Sequence, residues 1–294
     1  MSSKLFDRVA LIGIGLIGSS LARVLRRDSP QTRIIACARR PETLAAVQRL
    51  ALADETTLDP AEAARGADLV VVATPISAYA EVGRRIGPVL EPGTILTDVG
   101  SVKEAAIRDL APHLPPGVAF VPGHPVAGTE HSGPEAGFAE LFQGRWCILI
   151  PLPETPPEAL ARVAQMWEGA GMRLTTMSAS HHDRVLAVTS HLPHLIAYTI
   201  VGTATDLEDS LKSEIIKFSA SGFRDFTRIA ASDPIMWRDI FLNNREAVLE
   251  VLQRFSEDLT ALQRAIRWGE GDKLEDLFTR TRAIRRSVIE ARQA

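Results

Sequence analysis

The chain has 294 residues and a formal net charge of -3, and 46% of its residues are hydrophobic but only 5% aromatic. This length suits two domains of ordinary size, and the apolar content is too high for a disordered chain. A net charge near zero without a basic stripe argues against a nucleic-acid-binding protein. Cys37 and Cys147 are the only cysteines, so we expect neither a disulfide framework nor a metal site.

No apolar run approaches the roughly 20 residues that span a bilayer. The first residues lack the apolar stretch and cleavage site of a signal peptide. We therefore expect a cytoplasmic protein that makes no membrane contact. Six of the seven histidines lie between His124 and His194, and this clustering points to a function for that stretch.

The first half of the chain alternates apolar, strand-like runs with amphipathic, helix-like stretches. The strand-like runs are Arg8–Ile14, Ile34–Ala38, Leu69–Ala73, Thr94–Val99 and, more weakly, Val118–Val121, Cys147–Ile150 and Arg173–Thr176. The helical patterns are Leu16–Arg27, Pro41–Leu50, Ser77–Leu90 and Lys103–Leu114. Runs that are apolar throughout indicate strands buried on both faces. Strand–helix alternation with short connections predicts a mainly parallel sheet.

After Ser178 the strand-like runs stop and only helical patterns follow. These patterns are Ser180–Asp206, Leu207–Ala220, an amphipathic stretch from Ile240 to Ile266 that ends at Gly269, and Lys273–Arg292. Asp233 and Pro234 form a helix start signal, with Asp as N-cap and Pro at the first helical position. We predict a mainly parallel α/β domain over residues 1–178 and an all-helical domain over 179–294. An elongated helical domain often completes its core against a second copy, so we expect a homodimer.

A G-x-G-x-x-G motif follows the first strand-like run and opens the first helical pattern. In that context the motif predicts a dinucleotide site, with the pyrophosphate at the helix N-terminus. The predicted contacts are Gly13, Gly15, Leu16, Ile17 and Gly18. Gly13 allows the tight turn, Gly15 lets the backbone approach the pyrophosphate, and Gly18 lets the helix pack closely on the strand.

The end of the second strand-like run bears on the choice between NAD and NADP. An NAD site usually has an acidic residue there, whereas this chain reads Ala38-Arg39-Arg40. Guanidinium groups suit a 2′-phosphate, so we favour NADP and keep NAD as possible. The alternative for Arg39 and Arg40 is that they are solvated loop charges.

Polar residues follow several of the strand-like runs: Gly13, Thr74-Pro75, Asp98-Val99-Gly100-Ser101 and Gly123-His124-Pro125. If all these runs are parallel strands, these residues share the carboxyl edge, where open α/β sheets bind ligands. A histidine there can accept a proton from a substrate hydroxyl, and Ser101 can orient the histidine or that hydroxyl. The alternatives are that Ser101 caps a helix and that His124 is an ordinary loop histidine.

Ser190 and His194 lie four residues apart in a helical pattern and share a face. The His191–His194 pair lacks further ligands at zinc-site spacing. Pro193 is expected to kink this helix. The segment from Gly222 to Arg228 is predicted to be a loop, in which Arg228 binds a carboxylate or is surface charge.

Several segments together resemble the prephenate/arogenate dehydrogenase family. They are G-x-G-x-x-G at 13–18, DVGSVK at 98–103, GHPVAGTEHSG at 123–133, SHLPH at 190–194 and GFRDFTRIAASDPIMW at 222–237. The resemblance covers most of the chain and follows the family order. It implies a Rossmann domain followed by a helical dimerisation domain. It also implies oxidative decarboxylation of prephenate or arogenate to 4-hydroxyphenylpyruvate or tyrosine.

The resemblance also implies roles for the candidate residues. His124 accepts the proton of the ring hydroxyl as hydride leaves for the nicotinamide, and Ser101 holds that hydroxyl and the cofactor. Arg228 binds the ring carboxylate. His194 and Ser190 contact the substrate side chain, and Thr129, beside Glu130, helps to close the site. Thr74 and Pro75 are predicted as further cofactor contacts from their place at the carboxyl edge, not from the resemblance.

Two alternatives remain beside this reading. One is another two-domain NADP enzyme, such as a 3-hydroxyacid dehydrogenase or a pyrroline-carboxylate reductase, and the other is a non-catalytic NADP-binding protein. Four histidines receive no role from the sequence: His131, His181, His182 and His191.

Overall fold

The computed structural model describes residues 5–205, 214, 217 and 221–290. The chain divides into one compact unit that ends at Arg245 and a second that begins at Glu246. The described residues between Ser178 and Arg245 belong to the first unit, and the predicted domain boundary at 178/179 stays a prediction.

Six strands form the first sheet: β1 (Arg8–Ile12), β2 (Arg33–Cys37), β3 (Glu55–Thr57), β4 (Leu69–Val72), β5 (Ile95–Asp98) and β6 (Ala119–Val121). All neighbours are parallel, and the order is β3-β2-β1-β4-β5-β6. This is the strand order of a Rossmann fold, and it confirms the predicted fold class. Alternate residues of β1 enter different halves of the core, Val9 and Leu11 on one face and Ala10 and Ile12 on the other.

Helices on both faces connect these strands: α1 (Leu16–Asp28), α2 (Pro41–Arg49), α3 (Pro60–Ala64), α4 (Tyr79–Ile86) and α5 (Lys103–Leu110). The first two match the predicted helices to within a residue. The last two are shorter than predicted because their ends tighten into 3-10 turns. Pro88 and Pro112 lie in those turns, and proline cannot donate the hydrogen bond that continues an α-helix. The short β3 and α3 carry too few residues for a periodic pattern.

A second, three-stranded sheet contains β7 (Gly123–Pro125), β8 (Trp146–Leu149) and β9 (Arg173–Thr176). β7 pairs antiparallel with β8, which pairs parallel with β9. Helix α6 (Pro157–Gly169) joins the last two strands. His124 therefore lies on a strand of this second sheet. It also follows β6 of the parallel sheet, as predicted, because only Pro122 separates the two strands.

The predicted helix over 180–206 is interrupted. Helix α7 (Ala179–Leu186) leads into a π-helical turn at Ala187–His191, and α8 (Leu192–Thr205) follows. Pro193 stands just after that turn. A proline ring clashes with the carbonyl four residues earlier, and a π turn is one way in which a helix accommodates the disruption. The expected irregularity is therefore present as a π turn.

The segment predicted as a loop from Gly222 is helical instead. Helix α9 (Ser221–Thr227) continues into a 3-10 turn at Arg228–Ala231. Its last hydroxyl, Thr227 Oγ1, donates to the Phe223 carbonyl at 2.7 Å. A single glycine lowers helix propensity without abolishing it, so the loop prediction is wrong. The predicted helix over 207–220 lies outside the described residues, apart from 214 and 217, which are helical.

The predicted start signal at Asp233 is confirmed. Its side chain accepts a hydrogen bond from the Met236 amide at 2.8 Å, and α10 (Pro234–Asn243) begins at the proline. Two long helices follow, α11 (Arg245–Arg267) and α12 (Gly271–Glu290), and their residues from Glu246 onward belong to the second unit. The long amphipathic pattern thus spans two helices, with a break at Asn244.

One helical run, Ala179–Ala204, is long and apolar enough to cross a membrane if only length and composition are considered. Its most apolar stretch has a mean hydropathy of 1.4, and 22% of that stretch is buried inside the protein. By length and composition the prediction that no such run exists is wrong. A helix that packs against other protein passes the same test. Length and composition alone are therefore weak evidence for a membrane span.

A buried ion pair joins the two sheets of the first unit. Lys103 Nζ lies 2.5 Å from Asp98 Oδ2 and 2.5 Å from the Gly123 carbonyl oxygen, and both side chains are fully buried. Asp98 also accepts hydrogen bonds from Tyr79 and from the amides of Gly100 and Gly123. Burial, together with the Asp98 carboxylate, raises the pKa of Tyr79 well above its usual value. This cluster holds the first residue of β7 against the end of β5.

We expect Lys103→Met to lower the free energy of unfolding by about 3–5 kcal/mol, because it leaves the Asp98 carboxylate buried without a counter-charge. Urea denaturation measures the loss. Arg84→Met is the control, since Arg84 and Glu81 form an exposed ion pair that contributes about 0–1 kcal/mol. Equal losses in the two variants would contradict the assignment.

Candidate active site

The glycine motif forms a tight turn between β1 and α1. Gly13 has a φ of +98°, and a Cβ there would lie 2.5 Å from the Ala73 carbonyl oxygen. A Cβ on Gly18 would lie 2.3 Å from the Gly13 carbonyl oxygen. By contrast, a Cβ on Gly15 meets no described atom within 4 Å. Gly13 and Gly18 are therefore required by packing, whereas Gly15 borders open space.

Helix α1 begins next to this open space. Leu16 and Ile17 form its first turn, which contains no acidic residue, and Gly15 as N-cap provides no side chain to the free amides. Such a terminus favours an anion through its N–H groups and the helix dipole. The turn therefore fits the pyrophosphate of a dinucleotide.

Two further groups of predicted cofactor residues lie at the ends of neighbouring strands. Arg39 and Arg40 are exposed just beyond β2, and Arg40 is the N-cap of α2. Thr74 and Pro75 follow β4. The Thr74 hydroxyl is buried and has no hydrogen-bond partner in the part of the chain described, so it is available to a ligand. The parallel topology places these residues at the same sheet edge as Gly13.

His124 is 7% exposed and occupies the middle of β7. Its Nδ1 lies 2.8 Å from Nε2 of His182. Burial lowers the pKa of His124 well below its ordinary value, and the nearby His182, Lys103 and His191 lower it further. The ring is therefore neutral at neutral pH and can accept a proton.

Asp183 connects the helix that carries His182 to the start of α5. Its two carboxylate oxygens accept the Lys103 and Glu104 amides at 2.7 and 2.9 Å, and Oδ1 also lies 2.7 Å from His182 Nδ1. Burial lowers the pKa of His182, while the Asp183 carboxylate acts in the opposite direction. Asp183 thus supplies the cap that sequence reasoning considered for Ser101.

Ser101 itself does not cap the helix. The N-cap position belongs to Val102 and carries no side-chain cap bond. Ser101 is half-buried beside this residue, directly after the Asp98–Gly100 turn. The capping alternative is wrong, and the serine hydroxyl is left for another role.

His191 lies in the π turn and is 1% exposed. Asn244 Nδ2 lies 3.0 Å from its Nδ1 and donates to the Asp183 carbonyl at 2.8 Å. The Nε2 atom of His191 is buried and has no hydrogen-bond partner among the described residues. Burial lowers the pKa of His191 to about 4, so this ring is neutral as well.

His194 lies in the first turn of α8, and Ser190 lies in the π turn before it. His194 Nδ1 lies 2.8 Å from the Ser190 carbonyl oxygen, and its ring stacks on Trp237 with centroids 3.6 Å apart. Burial lowers the pKa of His194. The stacking fixes the plane of the imidazole and directs its Nε2 away from the Ser190 carbonyl.

Arg228 is exposed, and its Nη1 lies 3.3 Å from Glu130 Oε2. The pKa of Glu130 is lowered by a hydrogen bond from its own backbone amide and by the nearby charge of Arg228. Thr129, also exposed, accepts a hydrogen bond from the His131 amide at 3.2 Å. The loop after β7 and the turn after α9 therefore meet through one accessible ion pair.

Several residues of this site were not identified from the sequence. His182 and Asp183 adjoin His124, and Trp237 stacks on His194. The sequence did contain hints of both. His182 and Asp183 are adjacent titratable residues at the start of a helix, and Trp237 ends the DPIMW segment. His131 and His181, by contrast, are exposed.

We expect Gly15→Ala to raise the Kd for the dinucleotide at least tenfold without lowering Tm, because the new methyl group enters only the space next to the first turn of α1. Gly18→Ala should lower Tm, since its Cβ meets backbone at 2.3 Å. Fluorescence titration and thermal unfolding distinguish the two effects. Unchanged cofactor affinity in Gly15→Ala would contradict the pyrophosphate assignment.

Comparison with known proteins agrees with this geometry. Residues 21–176 match the family described as prephenate dehydrogenase, nucleotide-binding domain, and residues 178–280 match prephenate dehydrogenase, dimerization domain. A cyclohexadienyl dehydrogenase of Zymomonas mobilis is 43% identical over 95% of each chain.

Solved structures agree as well. Prephenate dehydrogenase from Aquifex aeolicus, in complex with hydroxyphenyl propionate and NAD+, has a TM-score of 0.88 and 34% identity, covering 96% of this chain and 98% of that one. Synechocystis arogenate dehydrogenase has a TM-score of 0.79 and 29% identity, covering 96% and 99%. The resemblance seen in the sequence motifs is thereby confirmed. The chain belongs to the prephenate dehydrogenase family and is a nicotinamide-dependent oxidoreductase of tyrosine biosynthesis.

Proposed function

We propose that this protein oxidatively decarboxylates prephenate, arogenate or both, and that NADP is its preferred cofactor. The observation that carries the proposal is that His124 is buried and neutral. It lies close to the end of β5 and to the first residues of α5. A neutral imidazole at this place suits a general base. Family membership supplies the substrate class, and the site supplies the roles below.

His124 takes the proton of the ring hydroxyl, and Ser101 orients that hydroxyl. A nicotinamide cofactor, held by the glycine turn, would supply the acceptor for the hydride that leaves the same carbon. Loss of carbon dioxide then makes the ring aromatic, so the thermodynamic drive belongs to the substrate. The protein's contribution is to align the ring and to hold a base that is unprotonated at neutral pH.

Arg228 binds the ring carboxylate. Its guanidinium is exposed and its partner Glu130 is also accessible, so a substrate carboxylate can replace Glu130 in the pair. Thr129, on the same loop as Glu130, closes the entrance. His194 contacts the substrate side chain, with its ring held by Trp237 and its Nδ1 engaged by Ser190.

We expect His124→Asn to lower kcat by about 100- to 10,000-fold, the usual contribution of a general base, with little change in cofactor affinity. Reduced-nicotinamide absorbance with prephenate and with arogenate measures it. His181→Asn, an exposed histidine on α7, is the control. Because burial lowers the pKa of His124, the acid limb of kcat/KM should lie below pH 6.5. Near-normal kcat in His124→Asn would contradict the base assignment.

We expect the double variant Arg39→Ser, Arg40→Ser to raise KM for NADP by about 10- to 100-fold, because a hydrogen bond to a charged group contributes about 1.5–3 kcal/mol. KM for NAD should change little. Arg33→Ser, at the opposite end of β2, is the matched control. A wild-type kcat/KM that is tenfold higher with NAD than with NADP would overturn the preference.

We also infer that the protein is a homodimer through its helical part. The family matched by residues 178–280 is described as a dimerization domain. The second unit exposes large apolar side chains at positions where a partner helix would cover them: Leu249, Leu259, Ile266, Trp268, Phe278 and Ile284. A dimer interface would also account for the apolar composition of the helical run Ala179–Ala204. Large exposed apolar side chains on such a domain are typical of an interface, so no membrane is needed to account for them.

A further inference from the structure

Three buried side chains form a continuous line from β7 into α7. His124 Nδ1 lies 2.8 Å from His182 Nε2, and His182 Nδ1 lies 2.7 Å from Asp183 Oδ1. The two imidazole rings meet edge to face, with centroids 5.0 Å apart. All three residues are at most 7% exposed, so water does not compete for these contacts.

The direction of the first hydrogen bond follows from Asp183. Its carboxylate accepts the Lys103 and Glu104 amides, and it stands at the N-terminus of α5, where a negative charge is stabilised. An ionised carboxylate only accepts hydrogen bonds. The proton between Asp183 and His182 therefore belongs to His182 Nδ1.

A neutral imidazole has one donor and one acceptor nitrogen. Burial lowers the pKa of both histidines, which keeps the two rings neutral. Since His182 donates through Nδ1, its Nε2 is an acceptor. His124 must then donate through its own Nδ1, and its lone pair is left on Nε2.

We propose that His182 and Asp183 are positioning residues that hold His124 in the tautomer with hydrogen on Nδ1, so that Nε2 is the atom that takes the substrate proton. This rests on the proposed role of His124 as the base. Without the His182 acceptor, the neutral ring is free to carry its hydrogen on Nε2, and in that form it cannot accept the substrate proton.

The charged and titratable groups around His124 are consistent with this assignment. Lys103, from α5, is committed to Asp98 and to the Gly123 carbonyl. His191, from the π turn, has its Nδ1 next to Asn244. Neither group has a recorded hydrogen bond to His124 in the described structure. His182 is therefore the side chain that selects the tautomer.

The test compares two substitutions that remove the same contact with Asp183. His182→Gln keeps an acceptor, because its carbonyl oxygen reaches the place of Nε2, whereas His182→Leu has none. We expect His182→Leu to lower kcat about 100-fold or more, since a wrong tautomer costs about 10,000-fold in serine-protease triads. His182→Gln should retain kcat within about tenfold. KM and cofactor Kd should change little in either variant.

Nitrogen NMR of the histidine-labelled enzyme with bound NADP reports the tautomer directly, and His124→Asn identifies the signals of His124. We expect hydrogen on Nδ1 in the wild type and in His182→Gln, and a shift toward the other tautomer in His182→Leu. Hydrogen on Nε2 in the wild type would overturn the proposal, as would equal losses of kcat in the two variants.

The two proposals fail in different ways. If His124→Asn retains turnover while the wild-type ring carries hydrogen on Nδ1, the base assignment fails and the tautomer assignment stands. If His182→Leu does not fold, as thermal unfolding would show, the wild-type spectrum and His182→Gln still decide the question.

Discussion

The arrangement of the active site depends on the buried ion pair between Lys103 and Asp98. A charge inside a protein is tolerated only when it is paired and hydrogen-bonded, and here Asp98 accepts hydrogen bonds from Tyr79 and two amides in addition to Lys103. Lys103 in turn binds the Gly123 carbonyl. The pair therefore fixes the first residue of β7 against the parallel sheet, and the next residue is His124.

Asp183 extends the same rigid framework into the helices. One carboxylate caps α5 and holds His182, while the backbone carbonyl of the same residue accepts a hydrogen bond from Asn244, the residue that ends α10. The helix that carries Asp183 then passes through the π turn before Pro193. His191, at the end of that turn, is buried and meets the Trp237 ring edge to face, whereas His194 in α8 stacks on the same ring.

The cofactor side of the site and the substrate side are built differently. The glycine turn is held by close backbone contacts at Gly13 and Gly18, with open space only at Gly15. The substrate side contains an exposed ion pair, Arg228 with Glu130. An exposed pair contributes little to stability and is easily exchanged for another carboxylate. This contrast suits a site that binds its cofactor on a fixed scaffold and its substrate through an exchangeable charge.

The sequence by itself determined the parallel sheet, the glycine turn, the helix start at Asp233 and the family. Each of these depends on neighbours within a few residues, where apolar periodicity, glycine and proline act locally. Only the tertiary structure decided that His124 lies on a strand, that Asp183 takes the capping place considered for Ser101, and that Arg228 meets Glu130. Those contacts join residues 24 to 98 positions apart, from the pairing of His124 with Ile148 to the Arg228–Glu130 ion pair. No local pattern records such pairings, because they arise from how the helices pack on the sheets.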